Sequence, residues 1–417
     1  MALELHAVLQ AAERALDCAH NRGLRIPCSV VFESGAYGHL GRYLTPLSPA
    51  GPILVVAGRH ARDPSLRAFI EDQVCGHVVR SVHYAQVTGE PTCETIGAHA
   101  ALARRIRPQL VLGVGGGSSI DSAKAVAALL TNDGPVEDYL EGLGRERRLE
   151  CSPALCVAVP TTAGTGAEMT RNAVVACPRR RFKRSLRDDR MVPSLALIDP
   201  DLTLGLPATP TAAGGLDAIT QLLEACISAK RRPETTELAE SVLRFPLGAL
   251  RQCVEEPSDR AARAAMSLAA SVSGICLANA GLAMAHGIAA ALGAWFNVPH
   301  GLACGILLPH TLRHNREACP DAMASALAAL LGEDAPRGDT IDRGIDAIGR
   351  LNARLGIPPD LRHLDLSPAQ LDPLAEASLG SSMKAHPLPM TAESTRRFLA
   401  SIAGTVSFGA GHPGPGV

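Results

Sequence analysis

Three side chains in the second half of the chain, Asp217, His286 and His300, are of the types that hold a divalent metal. Asp217 lies in the apolar helical segment GGLDAITQLLEA, and the two histidines flank the run HGIAAALGAWFNVPH. A carboxylate with two imidazoles suits zinc or ferrous iron. In the first half, LVLGVGGGSSIDSAKA (110–125) has the make-up of a phosphate turn. Gly115, Gly116 and Gly117 follow an apolar run and precede a helical pattern opened by Ser118, Ser119 and Asp121. Glycines let a backbone come close to a phosphate, and a helix N-terminus offers unpaired N–H groups to the anion. Ser118 and Asp121 also have the spacing of a capping box, although that box prefers Glu or Gln. Alone, the turn fits a dinucleotide cradle and an unliganded strand-to-helix turn equally well, and it lacks the GxGxxG fingerprint. Nucleotide in one half and metal in the other is the equipment of metal-assisted hydride transfer. The expected chemistry is reduction of an aldehyde or ketone, or its reverse.

A second small-residue loop, PTTAGTGAEMT (160–170), follows another apolar run. Thr161, Thr162 and Thr165 carry hydroxyls for a phosphate or ribose. In a parallel sheet this loop would reach the same ligand as the glycine turn, because open α/β sheets bind at their carboxyl edge.

These loops need strands to carry them. PCSVVFES, GPILVVAG, HVVRSVHYAQV, LVLGVGG, ALCVAVP and SLALIDP read as strands, most of the earlier ones separated by helical patterns, which is the signature of a parallel α/β sheet. From about Pro207 strand signals cease, and Gly214–Ser228, Glu234–Gln252, Arg260–Leu292, His300–Arg313 and Asp339–Leu355 read as helices. The expected organisation is an appended helix at 1–25, an α/β nucleotide-binding domain at 26–205, an all-helical metal domain at 206–406 and a flexible tail at 407–417.

At 417 residues and 47% apolar, the chain can build two cores. A formal net charge of −1 gives no support for nucleic acid or an anionic membrane as partner. No apolar stretch joins spanning length to freedom from charge, and the twelve cysteines form no CxxC pair. A soluble cytoplasmic protein with reduced thiols is expected. Cys304, four residues past His300, reads as an inert core thiol, with a place lining the site as the alternative.

The segments GGGSSIDSAK, PTTAGTGAE, LALIDPDLTLGLP, GLDAIT, NAGLAMAHG and NVPHGLACGILLPH occur in an order and spacing that resemble the iron-containing (group III) alcohol dehydrogenase family over about 28–400. The resemblance implies an N-terminal α/β domain, a helical metal domain and catalysis in the cleft between them. It also implies at least a homodimer. The family's metal is held by one Asp and three His. The Asp falls on Asp217 and two of the His on His286 and His300, but the remaining one falls on Gln221. An amide oxygen at i,i+4 still faces the same point as Asp217, as a weaker ligand than imidazole. A further histidine of the family, near the nicotinamide, is replaced by Ala290, so the proton must come from water, a ribose hydroxyl or another side chain. His310 and His314 read as structural.

Where NAD-preferring members carry an Asp, this chain has Gly58 followed by Arg59, so NADP(H) is the expected cofactor. Glycine leaves room for a 2′-phosphate and Arg59 can pair with it. The resemblance places Lys183 in the cleft as a catalytic candidate with Asp217, His286 and His300. The basic stretch CPRRRFKRSLRDDR (177–190), with Arg171, is compatible with an anionic aldehyde bearing a phosphonate or carboxylate, while most of its charges read as a solvated hairpin face. A family Asn-Pro-Arg stretch appears as HPLPMT (386–391), with Leu388 in the Arg position. Trp295 and Phe296 fit either a cleft wall or the core. Two other readings stand beside the alcohol dehydrogenase: a maleylacetate reductase-like enzyme that needs no metal, and a non-redox relative of the glycerol dehydrogenase and dehydroquinate synthase type.

Overall fold

The computed structural model describes residues 3–47, 51–74, 81–143 and 145–404. The expected tail at 407–417 and the start of the strand expected at 77–87 lie outside the described residues.

Among the described residues there are eight strands: β1 (Ser29–Phe32), β2 (Ile53–Ala57), β3 (Val82–Gln86), β4 (Leu110–Gly115), β5 (Leu155–Pro160), β6 (Asn172–Cys177), β7 (Phe182–Arg187) and β8 (Leu195–Ile198). Six of them form a parallel sheet in the order β1-β8-β5-β4-β2-β3. All five residues of β2 are buried, as expected of a strand covered on both faces. The chain runs outward from β2 to β3, then returns across to β4 and continues to β5. The sheet therefore reverses direction between β2 and β4, and the crevice at their carboxyl ends is where such sheets take ligands. Gly58 leaves β2 there and the glycine turn leaves β4. The register pairs Gly115 with Pro160, so the second loop starts beside the first. β6 and β7 form a separate antiparallel hairpin.

After Ile198 the described chain is helical. The helix Ala208–Ile227 is its axis: fifteen of twenty residues are buried, among Leu222, Leu268, Ile275 and Leu308. The helix Arg260–Ala280 is long and apolar enough to cross a membrane by composition, but it is buried inside this bundle and carries Arg263. The N-terminal helix Leu5–Asn21 lays Val8, Ala12, Ala15 and Ala19 on the same core, so it packs on the body of its own chain.

Two expected helices are broken. Glu234–Gln252 divides into Pro233–Leu243 and Pro246–Glu255, because Pro246 has no N–H to continue the ladder. Arg260–Leu292 divides into Arg260–Ala280 and Met284–Phe296 at Gly281, which adopts φ +71°. The helices Pro320–Leu331, Pro368–Ser378 and Ala392–Ala403 were not anticipated.

Candidate active site

The second break builds the site. Starting a new helix at Met284 frees backbone N–H groups, and the buried carboxylate of Glu224 collects them. Its Oε1 accepts from Ala285 N at 2.6 Å and its Oε2 from Ala283 N at 2.9 Å. The same Oε2 lies 2.7 Å from His286 Nδ1. One carboxylate thus caps the helix and orients the imidazole. With Nδ1 donating to Glu224, the neutral imidazole turns its Nε2 lone pair inward, toward the point where a metal would sit. His286 Nε2 lies 3.1 Å from Asp217 Oδ1, and His300 Nε2 lies 3.7 Å from the same oxygen. His300 opens the helix His300–Asn315, and Gly301 lets that helix press directly on the backbone of Ala213. The trio that the sequence separates by 83 residues therefore meets at one point.

Cys304 differs from its reading as an inert core thiol. Its sulfur is 3.7 Å from His300 Nε2, and the four ligand-type atoms of Asp217, His286, His300 and Cys304 all lie within 4.8 Å of one another. Gln221 stands alongside. Its Nε2 donates to the Thr165 carbonyl at 3.2 Å, which fixes the amide orientation, and its buried oxygen has no hydrogen-bond partner among the described residues. Charges in this group are strongly mutual. Burial acts to raise the Asp217 pKa, but the two imidazoles and the Gln221 amide outweigh it and the net direction is down. Burial acts to lower His286, yet Cys304, Asp217 and Glu224 drive it well up. His300 is raised by Cys304 and Asp217 against burial, and Cys304 is lowered by both imidazoles against burial.

The glycine turn lies across the cleft. The helix after β4 starts at Gly117 with Gly116 as its N-cap and no side-chain cap, so the capping box expected of Ser118 and Asp121 does not form. Helix entry two residues earlier than that box requires moves Asp121 inside the helix. There its Oδ2 accepts from Val174 N at 3.0 Å and its Oδ1 pairs with Lys124 at 3.0 Å. Uncapped N–H groups at a helix start are what an anion needs. Gly115 has φ +144°, and a Cβ there would lie 2.5 Å from Ser119 Oγ. A Cβ on Gly117 would lie 2.6 Å from Thr165 Oγ1. Thr161 N donates to Gly115 O, and Thr162 packs beside Gly116. Gly58 faces Ser119, with Arg59 exposed directly after it.

Sequence reasoning missed what holds these loops together. The buried Lys124 ammonium donates to Ala167 O and Thr170 Oγ1, each at 2.8 Å, and to Asn172 O. Glu168, with its pKa raised by burial, accepts from Ser271 Oγ at 3.0 Å. Lys124 follows the glycine turn by one helical stripe, which is the signal that could have singled it out. Glu224 lies seven residues after Asp217 on the same helical face, and that spacing was its signal.

A single cleft of about 640 Å³ joins Gly117, Ser118 and Thr165 to Asp217, His286 and His300. Ala290 lines it where the resemblance has an imidazole. Lys183 is only 8% exposed, pairs with Glu90 at 2.5 Å and packs against Gly293. Arg184 and Arg187 share the cleft wall, so the hairpin is less of a solvated face than its charges suggested. Arg187 pairs with Glu141 at 2.6 Å, whereas Arg184 meets no carboxylate among the described residues. Arg171 is held away by Asp189, and Trp295 stacks beneath Arg181 at 5.1 Å rather than lining the cleft. His310 bonds the Pro359 carbonyl at 2.7 Å, and His314 packs on His386 and Phe398, so both are structural.

Compared with known families, residues 27–200 match the iron-containing alcohol dehydrogenase domain and residues 211–402 the C-terminal domain of the Fe-containing alcohol dehydrogenase family. The chain belongs to the iron-containing alcohol dehydrogenase family. Among iron-containing alcohol dehydrogenase relatives, it is 34% identical to long-chain-alcohol dehydrogenase 1 of Geobacillus thermodenitrificans over 78% of this chain and 83% of the relative. It is 36% identical to 1,3-propanediol dehydrogenase of Klebsiella pneumoniae, over 76% and 83% respectively. A crystal structure of 1,3-propanediol oxidoreductase superposes with a TM-score of 0.82 at 29% identity, covering 91% of this chain and 99% of that one. Like the rest of this family, the chain is an oxidoreductase acting on CH–OH and aldehyde groups, of a type that binds NAD(P) and a divalent metal.

Proposed function

We propose that this enzyme is an NADP(H)-dependent aldehyde reductase, working reversibly as an alcohol dehydrogenase, on small aldehydes that carry a phosphonate or carboxylate. The observation that carries the reading is the single cleft running from the uncapped helix start at Gly117 to the meeting point of Asp217, His286 and His300.

The donor set fits a divalent metal. The separations of 3.1 and 3.7 Å bracket the edge of about 3.3 Å expected between nitrogen or oxygen ligands at about 2.05 Å from a tetrahedral ion. Gln221 adds a buried oxygen without a partner. When bound, the metal supplies Lewis-acid polarisation of a carbonyl oxygen and the nicotinamide supplies the hydride. The chain's own residues do the rest. Gly115–Ser118 and Thr161–Thr165 hold and orient the dinucleotide, and Glu224 keeps the His286 Nε2 lone pair directed inward. Ala290 offers no proton, so the alkoxide is protonated by water or a ribose hydroxyl.

The pocket for a 2′-phosphate is Gly58 with Arg59. Glycine puts no side chain against Ser119, and the guanidinium lies next in sequence on an exposed turn. Arg184, the cleft-wall guanidinium without a carboxylate partner among the described residues, is the group that favours an anionic aldehyde. The test follows NADPH oxidation with phosphonoacetaldehyde, succinic semialdehyde and neutral aldehydes of equal length, with zinc or iron and after chelation. The reading expects higher kcat/KM for the anionic aldehydes, with that preference lost in Arg184→Ala. No turnover of any aldehyde refutes the assignment, and full activity after metal removal favours a maleylacetate reductase-like enzyme.

A further inference from the structure

A tetrahedral cation needs four donors, and the cleft offers two imidazoles and one carboxylate together with two candidates for the fourth place. Gln221 is the weaker of these. Its nitrogen is committed to the Thr165 carbonyl, so the amide braces the cofactor loop against the helix of Asp217. Cys304 is better placed. It lies one turn after His300 on the same helix face, and its sulfur is fully buried and 3.7 Å from His300 Nε2. Zinc–sulfur and zinc–nitrogen bonds of about 2.3 and 2.05 Å put tetrahedral nitrogen and sulfur ligands about 3.6 Å apart. The sulfur is thus already at ligand distance from an imidazole, inside the same 4.8 Å group as Asp217 and His286.

We propose that Cys304 is a direct thiolate ligand and that the metal centre of this chain is Asp217–His286–His300–Cys304. Gln221 is then a strut rather than a ligand, and a carbonyl oxygen would be taken up as an additional, fifth ligand. The assignment rests on the reading of the cleft as a metal site and adds a choice of metal to it. A thiolate is soft, and a carboxylate and a thiolate together neutralise a divalent cation. Such a set favours zinc over magnesium or manganese, which prefer all-oxygen surroundings.

The test uses the full chain, stripped of metal and reloaded with cobalt(II), and reads the near-ultraviolet thiolate-to-cobalt charge-transfer absorption. One cobalt per chain with that band is expected, together with loss of the band in Cys304→Ser and its retention in Gln221→Ala. Zinc should leave Cys304→Ser more readily by over 100-fold, since losing even an outer partner of a ligand costs about 10–100-fold. A band that persists undiminished in Cys304→Ser, with its sulfur supplied by exposed thiols such as Cys28 and Cys151, overturns the assignment. Should Cys304→Ser not fold, zinc-edge X-ray absorption of the unaltered protein decides. One sulfur with three nitrogen or oxygen neighbours supports the proposal, and a shell without sulfur overturns it. If no cation binds at all, the metal reading of the cleft falls as well, whereas a bound cation without sulfur refutes Cys304 alone.

Discussion

Replacing Glu224 by glutamine keeps the size of the side chain and turns one carboxylate oxygen into an NH2 group. In the native site three donors converge on this carboxylate: Ala283 N and His286 Nδ1 on Oε2, and Ala285 N on Oε1. Glutamine has one acceptor end. With its oxygen in the Oε2 position it keeps two of these bonds but sets its NH2 against the Ala285 N–H. Reversed, it loses two bonds and pushes His286 into the tautomer whose Nε2 carries the proton, closing that nitrogen to a metal. The first arrangement is favoured, and its cost is one buried charge-assisted bond, about 1.5–3 kcal/mol. The metal-free protein should therefore unfold at lower denaturant, and zinc should bind about 10–100-fold more weakly because the imidazole loses its orienting anion. Competition with a chromophoric chelator measures the second effect and urea unfolding the first. Unchanged zinc affinity in a destabilised Glu224→Gln protein would refute the orienting role and leave only the helix cap.

Three further outcomes follow from the geometry. Gly58→Asp should lower the ratio of NADPH to NADH kcat/KM by at least about tenfold, roughly 1.4 kcal/mol, and an unchanged ratio would discard the 2′-phosphate argument. Gly117→Ala sets a Cβ 2.6 Å from Thr165 Oγ1, an overpacking worth about 1–3 kcal/mol, so dinucleotide binding should weaken while zinc content is unaltered; loss of both would point to general unfolding. His386 is buried, neither ring nitrogen has a hydrogen-bond partner among the described residues, and burial pushes its pKa down from 6.5 to about 4. Between those values the unfolded chain holds the extra proton, so stability should fall as pH drops through that window, by roughly 3 kcal/mol in full. Urea unfolding of His386→Leu should show a flatter acid slope, and an identical slope would exclude this histidine as its source.

Much of this was legible in the residues. Runs such as ILVVA and LVLGVG read as strands and are buried as such, and the glycine turn and the Asp217–His286–His300 trio advertise themselves by residue type. What stayed hidden depends on three-dimensional partners. Glu224 looks like any acidic residue of a helix until a second helix starts against it. The break at Gly281 is silent because Ala, Leu and Met on either side continue a helical pattern. Cys304 reads as core packing, since its apolar neighbours outnumber the two imidazoles. Arg184 and Arg187 resemble solvated charges because nothing in a linear string shows which hairpin face meets the cleft.

The hydrogen bond from Gln221 to Thr165 spans the two halves of the chemistry. Hydride transfer tolerates little error, with reacting atoms about 3–3.5 Å apart. The loop proposed to seat the coenzyme is joined through Thr165 to the helix bearing Asp217, and through Lys124 to the helix behind the glycine turn. Alignment of donor and acceptor is thereby built in during folding, as in a jig whose two vices share one bed. A substitution at Gln221 would loosen that alignment even if every group that touches the substrate were left in place.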